Sequence, residues 1–424
     1  MISNSFPFRV FVCPFVFSLF PLLLGAAPTS SRSITVEECL VRAVAKRPEL
    51  QAAPFKTEAA RYRAKQAGRY ANPKFETEME DFGGEKDRRG LAGAQTTLSL
   101  VQELELGQKR KHRVAVAEAE TDATKAEESV QRTEIITETR RAALAVLVAQ
   151  EKAHLAEELL TIAREIEAAV LAKEQAGKVT ALETERAHTE TAHAALELQE
   201  RQAEQRDAVH ELAFCWGETE PTFEIVEGTL DIPSQPLPPL EGLLSKVGNH
   251  PALQVADSEL RALESQVKVE DAARIPNLEV TAGVRRYEDS DGYAVVAGIG
   301  IELPLFNSNR DAVKAAQAEA EVARLKIIAA RIKNEGALRR LYARLKTLVE
   351  KEVALRTTVL PSASRALSRM REAHEQGKAT YLDVLEARRE AAEAHLGLIE
   401  TASDYHACRI TLEERAGLYT AEKK

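Results

Sequence analysis

Two stretches of the chain, 74–106 and 277–305, alternate between apolar and polar residues with a period of two. In the first, Phe75, Thr77 and Met79 share one face, and glutamates occupy the positions between them. This period is typical of β-strands with one apolar face. Each stretch has a Gly-containing turn near its middle, so the pattern predicts two β-hairpins with strands of about 9–13 residues. Strands of that length span a hydrocarbon layer when tilted.

Most of the remaining chain predicts long helices. Residues 108–176 contain neither Gly nor Pro, and a helix over 107–176 measures about 100 Å at the usual rise per residue. A second helix, 180–216, is about half as long, and two half-length helices stacked end to end match one full-length helix. The segment 35–70 is another half-length helix, interrupted only at Pro48, Pro54 and Gly68.

The second half of the chain repeats this order of elements. A long helix is predicted at 308–376, and Pro361 is expected to kink it because proline cannot donate the helical hydrogen bond. Shorter helices are predicted at 238–273 and 380–416. The hairpin 277–305 lies between the first of these and the long helix.

The two halves are related by an offset of about 200 residues. Pro48 falls on Pro251 and Pro73 on Pro276, and further matches follow at the strand and helix ends. A period this long indicates a duplicated unit and not a short solenoid repeat. We therefore divide the chain into a leader at 1–27, a first repeat at 28–217, a linker at 218–240, a second repeat at 241–417 and a tail at 418–424.

Composition agrees with long helices and excludes some functions. Of the 424 residues, 29% are charged and only 5% are aromatic. A formal net charge of −9 argues against a nucleic-acid partner, which needs a basic face. The sequence has no nucleophile motif or phosphate loop, and His188 and His193 lack the spacing of a zinc pair. We predict a protein that is not an enzyme and that holds neither cofactor nor metal.

The N-terminus predicts export. An apolar run from Val10 to Leu24 precedes Gly25-Ala26-Ala27, which is typical of a secretory signal peptide. A retained anchor is the alternative, but the run is short and contains two prolines. Beyond residue 30 no run approaches the ~18 apolar residues of a spanning helix. Wide spacing indicates buried free thiols at the three later cysteines, Cys39, Cys215 and Cys408.

Four strands per chain leave two unpaired edges, which lipid does not tolerate. If the hairpins lie in a membrane, several chains must close one barrel, with 8 strands from two chains or 12 from three. A wide barrel leaves a water-filled lumen. The alternation also fits a half-buried soluble sheet, but the leader and the aromatic residues near the loops favour the membrane. The lumen-facing residues are then Glu76, Glu78, Glu80, Glu103, Glu279 and Glu302.

The order helix, hairpin, long helix, tip and helix, given twice behind a leader, resembles the TolC family of outer-membrane efflux channels. The resemblance covers essentially the whole mature chain. Three motifs resemble the heavy-metal cation (CzcC-like) branch: Asn72-Pro73-Lys74-Phe75-Glu76 with Glu80-Asp81-Phe82-Gly83, the segment 102–110, and the segment 302–310. Gln108 stands where that branch usually has a second glycine.

This resemblance implies a mainly α fold with a small β part. Duplicated long-helix hairpins would form a periplasmic α-barrel, and four strands per chain would join a 12-strand transmembrane β-barrel in a homotrimer. It implies a protein of the bacterial outer membrane, in contact with its lipid and extending into the periplasm. It also implies a periplasmic adaptor (membrane fusion) protein and an inner-membrane RND pump as partners. The branch implies heavy-metal cations as cargo.

The resemblance assigns the gate and the adaptor contact to two periplasmic tips. In each tip a glycine ends the long helix, and a threonine is expected to cap the next helix with an acidic residue three positions on. Capping alone also explains these residues. Some relatives hold the gate with an arginine at the position of Ala379, so Lys178 and Lys378 are the candidates here. The tip residues are Gly177, Lys178, Thr180, Leu182, Glu183, Gly377, Lys378, Thr380, Leu382, Asp383 and Glu386.

Two other functions stay open. A TolC-like channel for drug export or type I protein secretion has the same fold, because fold does not determine cargo. A periplasmic coiled-coil scaffold without a channel belongs to another class. It requires sustained heptads and no hairpins of membrane-spanning length, so the two hairpins argue against it.

Overall fold

The structure is a computed structural model that describes residues 33–233, 235 and 237–419. The predicted signal peptide and the end of the tail lie outside the described residues. The first half contains β1 (Ser33–Thr35), α1 (Val36–Lys46), α2 (Pro48–Ala67), β2 (Lys74–Glu80), β3 (Gln95–Leu104), α3 (Lys109–Gln175) and α4 (Ala181–Phe214). The linker contains β4 (Ile225–Glu227). The second half contains α5 (Leu240–Leu244), α6 (Pro251–Ala273), β5 (Leu278–Tyr287), β6 (Gly292–Ile301), α7 (Arg310–Ala354), α8 (Leu360–Glu375) and α9 (Tyr381–Arg415).

The predicted long helix of the first half is confirmed, because α3 runs for 67 residues without a break. At the usual rise it is about 100 Å long. The helices α2, α4, α6 and α9 all pack against it. Within the described ranges, every helix is too short or too polar to traverse a membrane.

The prediction that Pro54 interrupts the neighbouring helix is wrong. Pro48 does begin a new helix, α2, but Pro54 lies inside it. A proline within a helix removes one backbone hydrogen bond. Packing of α2 along α3 provides the side-chain contacts that keep this helix continuous despite that loss.

The long helix of the second half is interrupted, as predicted, but a π-helical turn precedes the proline. This turn covers Leu355–Val359, and Leu360 donates its N–H to the Leu355 carbonyl five residues back. Pro361 then lies in the first turn of α8, where its missing N–H costs least. The π turn thus accommodates one extra residue between α7 and α8.

Both predicted hairpins are confirmed. They form one antiparallel sheet in the order β2-β3-β5-β6. Residues paired across strands share a face, so the register defines an apolar face and a polar face. The apolar face contains Phe75, Met79, Leu98, Leu100, Leu104, Leu278, Val280, Ala282, Val284, Val295, Ala297, Ile299 and Ile301. These large side chains are largely exposed, with Val295 at 85% and Ile299 at 76%.

The linker between the halves is part of the core. Its strand β4 pairs in parallel with β1, and Phe223 and Val226 pack near Trp216, which is 2% exposed. Sequence reasoning missed both strands, because a three-residue strand has no measurable period. The prediction of buried free thiols is confirmed for Cys39, Cys215 and Cys408. Burial raises the pKa of Cys39 to about 12 and that of Cys215 to about 11.

Candidate channel lining and periplasmic tips

The glutamates of the two hairpins share the polar face of the sheet. Glu76, Glu78 and Glu80 lie opposite Ser99, Thr97 and Gln95 of β3, all on the side away from the apolar residues. In the middle of the sheet, Glu103 lies directly opposite Glu279. The structure therefore separates lipid-compatible and water-compatible side chains on the two sides of one sheet.

The polar face also carries Arg285, whose contacts across the sheet sequence reasoning did not find. Arg285 crosses three strands: it is 3.0 Å from Glu80 and donates to Thr97 at 2.9 Å and to Gln95 at 3.2 Å. These contacts join β2, β3 and β5 and offset part of the acidic charge. No spacing rule predicts them, because the partners are about 190 residues apart in sequence.

The helix-side end of the sheet contains a cavity of about 740 Å³. Glu103, Glu279 and Glu302 line it together, although Glu302 lies one residue beyond β6. Asn277 donates to Glu103, and Lys109 donates to Asn277 at 2.6 Å. The three glutamates nearest the helices are thus brought to one place, with an amide and an ammonium group beside them.

The junction between β3 and α3 is held by close packing and an ion pair. A Cβ on Gly107 would lie 2.8 Å from the Ile275 side chain, and its φ of +68° favours glycine as well. Gln108 also has positive φ, at 60°, which explains why a glycine suits this position in the related motif. The Arg113 guanidinium bonds to Glu105 and holds the pKa of that carboxyl below its usual range.

Each long helix ends at its tip in the same way. Gly177 and Gly377 have φ values of +69° and +72°, the left-handed conformation that ends a helix. Lys178 and Lys378 each donate a backbone N–H to a carbonyl five residues back, at 2.9 Å in both tips. The two tips therefore share one backbone design, as the repeat predicts.

The capping of the following helices differs between the tips. Thr380 accepts a hydrogen bond from the Asp383 N–H, and the Asp383 carboxylate accepts from the Thr380 N–H at 2.8 Å. The Thr380 hydroxyl also donates to the Asp383 carboxylate at 2.7 Å, and this bond, with that from the Thr380 N–H, holds the pKa of Asp383 below its usual value. The matching prediction for the first tip is wrong: Thr180 makes no side-chain capping bond to α4. The Glu183 N–H donates to the Thr180 backbone carbonyl at 3.0 Å. This N–H therefore has a hydrogen-bond acceptor without the Thr180 hydroxyl.

The two halves are joined near the tips by charged residues that sequence reasoning missed. Arg388, only 8% exposed, lies 3.0 Å from Glu190 on α4. Arg371 of α8 lies 2.8 Å from Glu165 of α3.

A third connection runs from the Lys173 ammonium to the backbone carbonyl of His374. Lys378, one of the two predicted latch residues, bonds instead to Gln376 of its own tip at 2.7 Å. Sequence alone does not give the rotation of each helix about its axis, so these pairs could not be found from it.

A small apolar cluster supports the tips, while two leucines stay uncovered. Tyr381 and Val384 pack with Ile166 and Val170 of α3. At corresponding positions of the two tips, Leu182 and Leu382 are 60% and 57% exposed. Glu386 is also exposed. The part of the chain that the structure describes contains no group of three His, Cys, Asp or Glu side chains placed to hold a metal ion.

Comparison with known proteins identifies the family. Residues 39–218 and 245–418 match the family described as outer membrane efflux protein. The chain belongs to this family. The two matched segments correspond to the two halves of the structure and leave out the linker between them.

Among curated proteins of the family, the chain is 29% identical to the cobalt-zinc-cadmium resistance protein CzcC of Cupriavidus metallidurans, covering 91% of this chain and 90% of that protein. It is 28% identical to the nickel-cobalt-cadmium resistance protein NccC of Alcaligenes xylosoxydans xylosoxydans, covering 74% and 70%.

Solved structures of outer-membrane channels share the fold. The channel OprN superimposes with a TM-score of 0.75 at 17% identity, covering 91% of both chains. CusC gives 0.75 at 18% identity, covering 90% of this chain and 92% of its own. VceC of Vibrio cholerae gives 0.74 at 19% identity, covering 90% and 96%. These likenesses confirm the predicted fold class of long helices with a small β part.

Proposed function

We propose that this protein is the outer-membrane exit duct of a tripartite efflux system and that its cargo is heavy-metal cations. The observation that carries the proposal is the two-sided sheet. Its apolar face suits lipid, and its polar face suits a water-filled lumen. The helix α3, about 100 Å long, extends from this sheet and supplies the periplasmic part of a tunnel.

A single chain cannot form this duct, because its four strands leave two edges unpaired. Three copies give a 12-strand barrel, wide enough for a lumen. We infer a homotrimer. Each chain contributes its two repeats, 28–217 and 241–417, so the tunnel wall consists of six similar helical segments. The linker 218–240 connects the two repeats near the middle of the long helices, where it packs against the core.

The polar face suits a path for cations. Glu76, Glu78, Glu80, Glu103, Glu279 and Glu302 place carboxylates along one side of the sheet, and rings of such groups favour cations in channels. The metal assignment follows from the relatives, whose names record resistance to cobalt, zinc, cadmium and nickel. The tunnel wall passes ions and catalyses nothing, so a partner must supply the energy for transport.

The tips are proposed as the gate and the adaptor contact. The exposed Leu182 and Leu382 present equivalent apolar side chains from both halves, which suits a helical partner that binds the two tips in similar ways. In this proposal a periplasmic adaptor docks there and links the duct to an inner-membrane RND pump. The salt bridge between Arg388 and Glu190 then holds the resting tips together.

Deletion of the gene in its native host tests the function. The expected result is reduced tolerance to at least one of zinc, cobalt, cadmium, nickel or copper, restored by the wild-type gene. A Leu182→Asp, Leu382→Asp double variant is expected to reach the outer membrane as a trimer but to leave tolerance unrestored. Unchanged metal tolerance together with new sensitivity to organic drugs would replace the metal assignment with drug export.

A further inference from the structure

The sheet of one chain has β2 at one edge and β6 at the other, and every residue of β2 is exposed. We propose that β6 pairs antiparallel with β2 of the next copy in one defined register, in which Ile299 lies opposite Met79 of the partner copy. The proposal rests on the proposed function, because it needs this sheet to lie in a membrane. It goes beyond that function by naming the residues of the seam between copies.

The seam inside the chain is the template for the seam between copies. It joins β3, the second strand of one hairpin, to β5, the first strand of the other, and places Glu103 opposite Glu279. The sequence repeat matches Glu103 with Glu302 and Glu279 with Glu76. Transfer of the pairing therefore places Glu302 opposite Glu76 of the partner copy, and Ile299 then meets Met79.

The two faces agree with this register. Ile299 and Met79 both belong to the apolar face. On the polar face, Gly300 and Gly298 come to lie opposite Glu78 and Glu80 of the partner copy, where a glycine leaves room for each glutamate side chain. A shift of one residue would exchange the faces and is excluded, whereas a shift of two would preserve them.

Barrel closure excludes some of the registers that preserve the faces. Within the chain, Gly292 is level with Glu80, through Tyr287 and Gln95. In the proposed register it lies opposite position 86 of the partner copy, a stagger of six residues per chain. With a rise of ~3.3 Å and a strand spacing of ~4.8 Å, this stagger tilts the strands by about 45°.

A stagger of four residues tilts the strands by about 35° and also closes a barrel, so the match of Glu302 with Glu103 in the repeat selects six over four. The remaining staggers close the barrel less well. A flush pairing of the upper strand ends gives no tilt, and a sheet without stagger cannot close. The two hairpins differ by two residues in their internal pairing, since Glu76 meets Ser99 and Glu279 meets Gly300. If the strands are instead matched by their pairing inside each hairpin, Ser99 corresponds to Gly300, and the same transfer of the seam gives a stagger of eight residues. That stagger tilts the strands by about 55°, which is steeper than the 35–45° of membrane barrels.

The proposed register also allows an ion pair between copies. In the seam inside the chain, Asn277 donates to Glu103. The residue that matches Asn277 in the repeat is Lys74. In the proposed seam, Lys74 of the partner copy therefore lies beside Glu302, so an ion pair between copies takes the place of the hydrogen bond within the chain.

Cysteine cross-linking of the full-length protein in outer membranes tests the register. In Ile299→Cys, Met79→Cys, mild oxidation is expected to give covalent dimers and trimers on denaturing gels. A link within one chain is excluded, because β2 and β6 are about 14 Å apart, beyond disulfide reach. The matched control is Val295→Cys, Met79→Cys, which keeps both cysteines on the apolar face but four residues out of register.

The outcomes separate this proposal from the proposed function. Cross-linking through Ile301→Cys in place of Ile299→Cys would overturn the register in favour of the larger stagger. Intact trimers by native mass spectrometry without cross-links in either variant would overturn the proposed register and leave the duct standing. Monomers without trimers would overturn the duct itself.

A charge exchange gives an independent readout. Lys74→Glu and Glu302→Lys are each expected to lower the temperature at which trimers dissociate on gels. The double variant Lys74→Glu, Glu302→Lys is expected to recover most of that loss. Additive losses in the double variant would contradict the ion pair.

Discussion

The two long-helix halves share one backbone plan but differ in how they hold the tip. In the first half, α3 is continuous from the sheet to Gly177. In the second, a π turn divides the helix into α7 and α8, and Arg356 within that turn bonds to Asp231 of the linker at 2.9 Å. Duplication thus gave each chain two long helical segments, of which only the second has a local break that suits bending. We infer that the second half moves when the tips open, while the first serves as the fixed wall.

The largest expected effect comes from removing one residue from each half. Deletion of Thr358 should convert the π turn into regular helix and leave both flanking helices in register, so the protein should still assemble as trimers. Deletion of Thr161 in α3 rotates everything after it by about 100° and turns Ile166 and Val170 out of the interior. Exposing each of these apolar side chains should lower the free energy of unfolding by about 1.5–3 kcal/mol.

Gel analysis of heat-resistant trimers measures this difference. We expect trimers from the Thr358 deletion and none from the Thr161 deletion. Equal loss of trimers in both variants would show that the π turn is not a tolerated insertion, and the contrast between the halves would be lost.

The next effect concerns the ion pair across the halves. Glu190→Gln leaves Arg388 buried without a charged partner. The Glu190 side chain is about one third exposed. We therefore expect the free energy of unfolding to fall by about 1–3 kcal/mol, less than for a fully buried pair. In planar bilayers this variant should show more frequent or larger openings than the wild type. Unchanged conductance would show that the ion pair of Arg388 does not hold the gate closed.

Helix capping gives a smaller effect with a matched control. Thr380→Ala removes the capping box of α9 and should cost about 1 kcal/mol. Thr180→Ala should cost almost nothing, because that hydroxyl makes no capping bond. Hydrogen exchange of the first turn of each helix reports both changes. A larger increase in exchange at the start of α4 in Thr180→Ala than at the start of α9 in Thr380→Ala would contradict the capping difference between the tips.

Sequence predicted the parts of this structure that have a period or a repeat. Both hairpins, the uninterrupted α3 and the paired glycines of the tips were found because alternation, absence of Gly and Pro, and repetition are visible in one chain. The π turn was not found, since Thr357 and Thr358 resemble ordinary helical residues. The contacts between halves, such as Arg388 with Glu190, depend on helix rotation and packing, which no local pattern encodes.

The smallest expected effect is the pH dependence of one ion pair in the first half. His188 of α4 lies 2.8 Å from Glu167 of α3, and this hydrogen bond raises the pKa of the histidine above its usual value of 6.5. The contribution of the pair is therefore complete between pH 4.5 and 6.5 and is lost as the pH rises through the raised pKa of His188. It is also lost at low pH, as the pH falls through the lowered pKa of Glu167.

Arg388 occupies the position of His188 in the second repeat. NMR titration should show a lower His188 pKa in Glu167→Gln. An unchanged pKa would mean that the pair does not form in solution.

If the chain forms a cation-conducting duct through a membrane, single-channel recording should detect it. Purified trimers in a planar bilayer, with a salt gradient across it, should show discrete conductance steps. The reversal potential should have the sign of a cation-selective pore, because carboxylates line the polar face. Correctly folded trimers that insert into the bilayer without conducting, or that conduct with anion selectivity, would contradict the account.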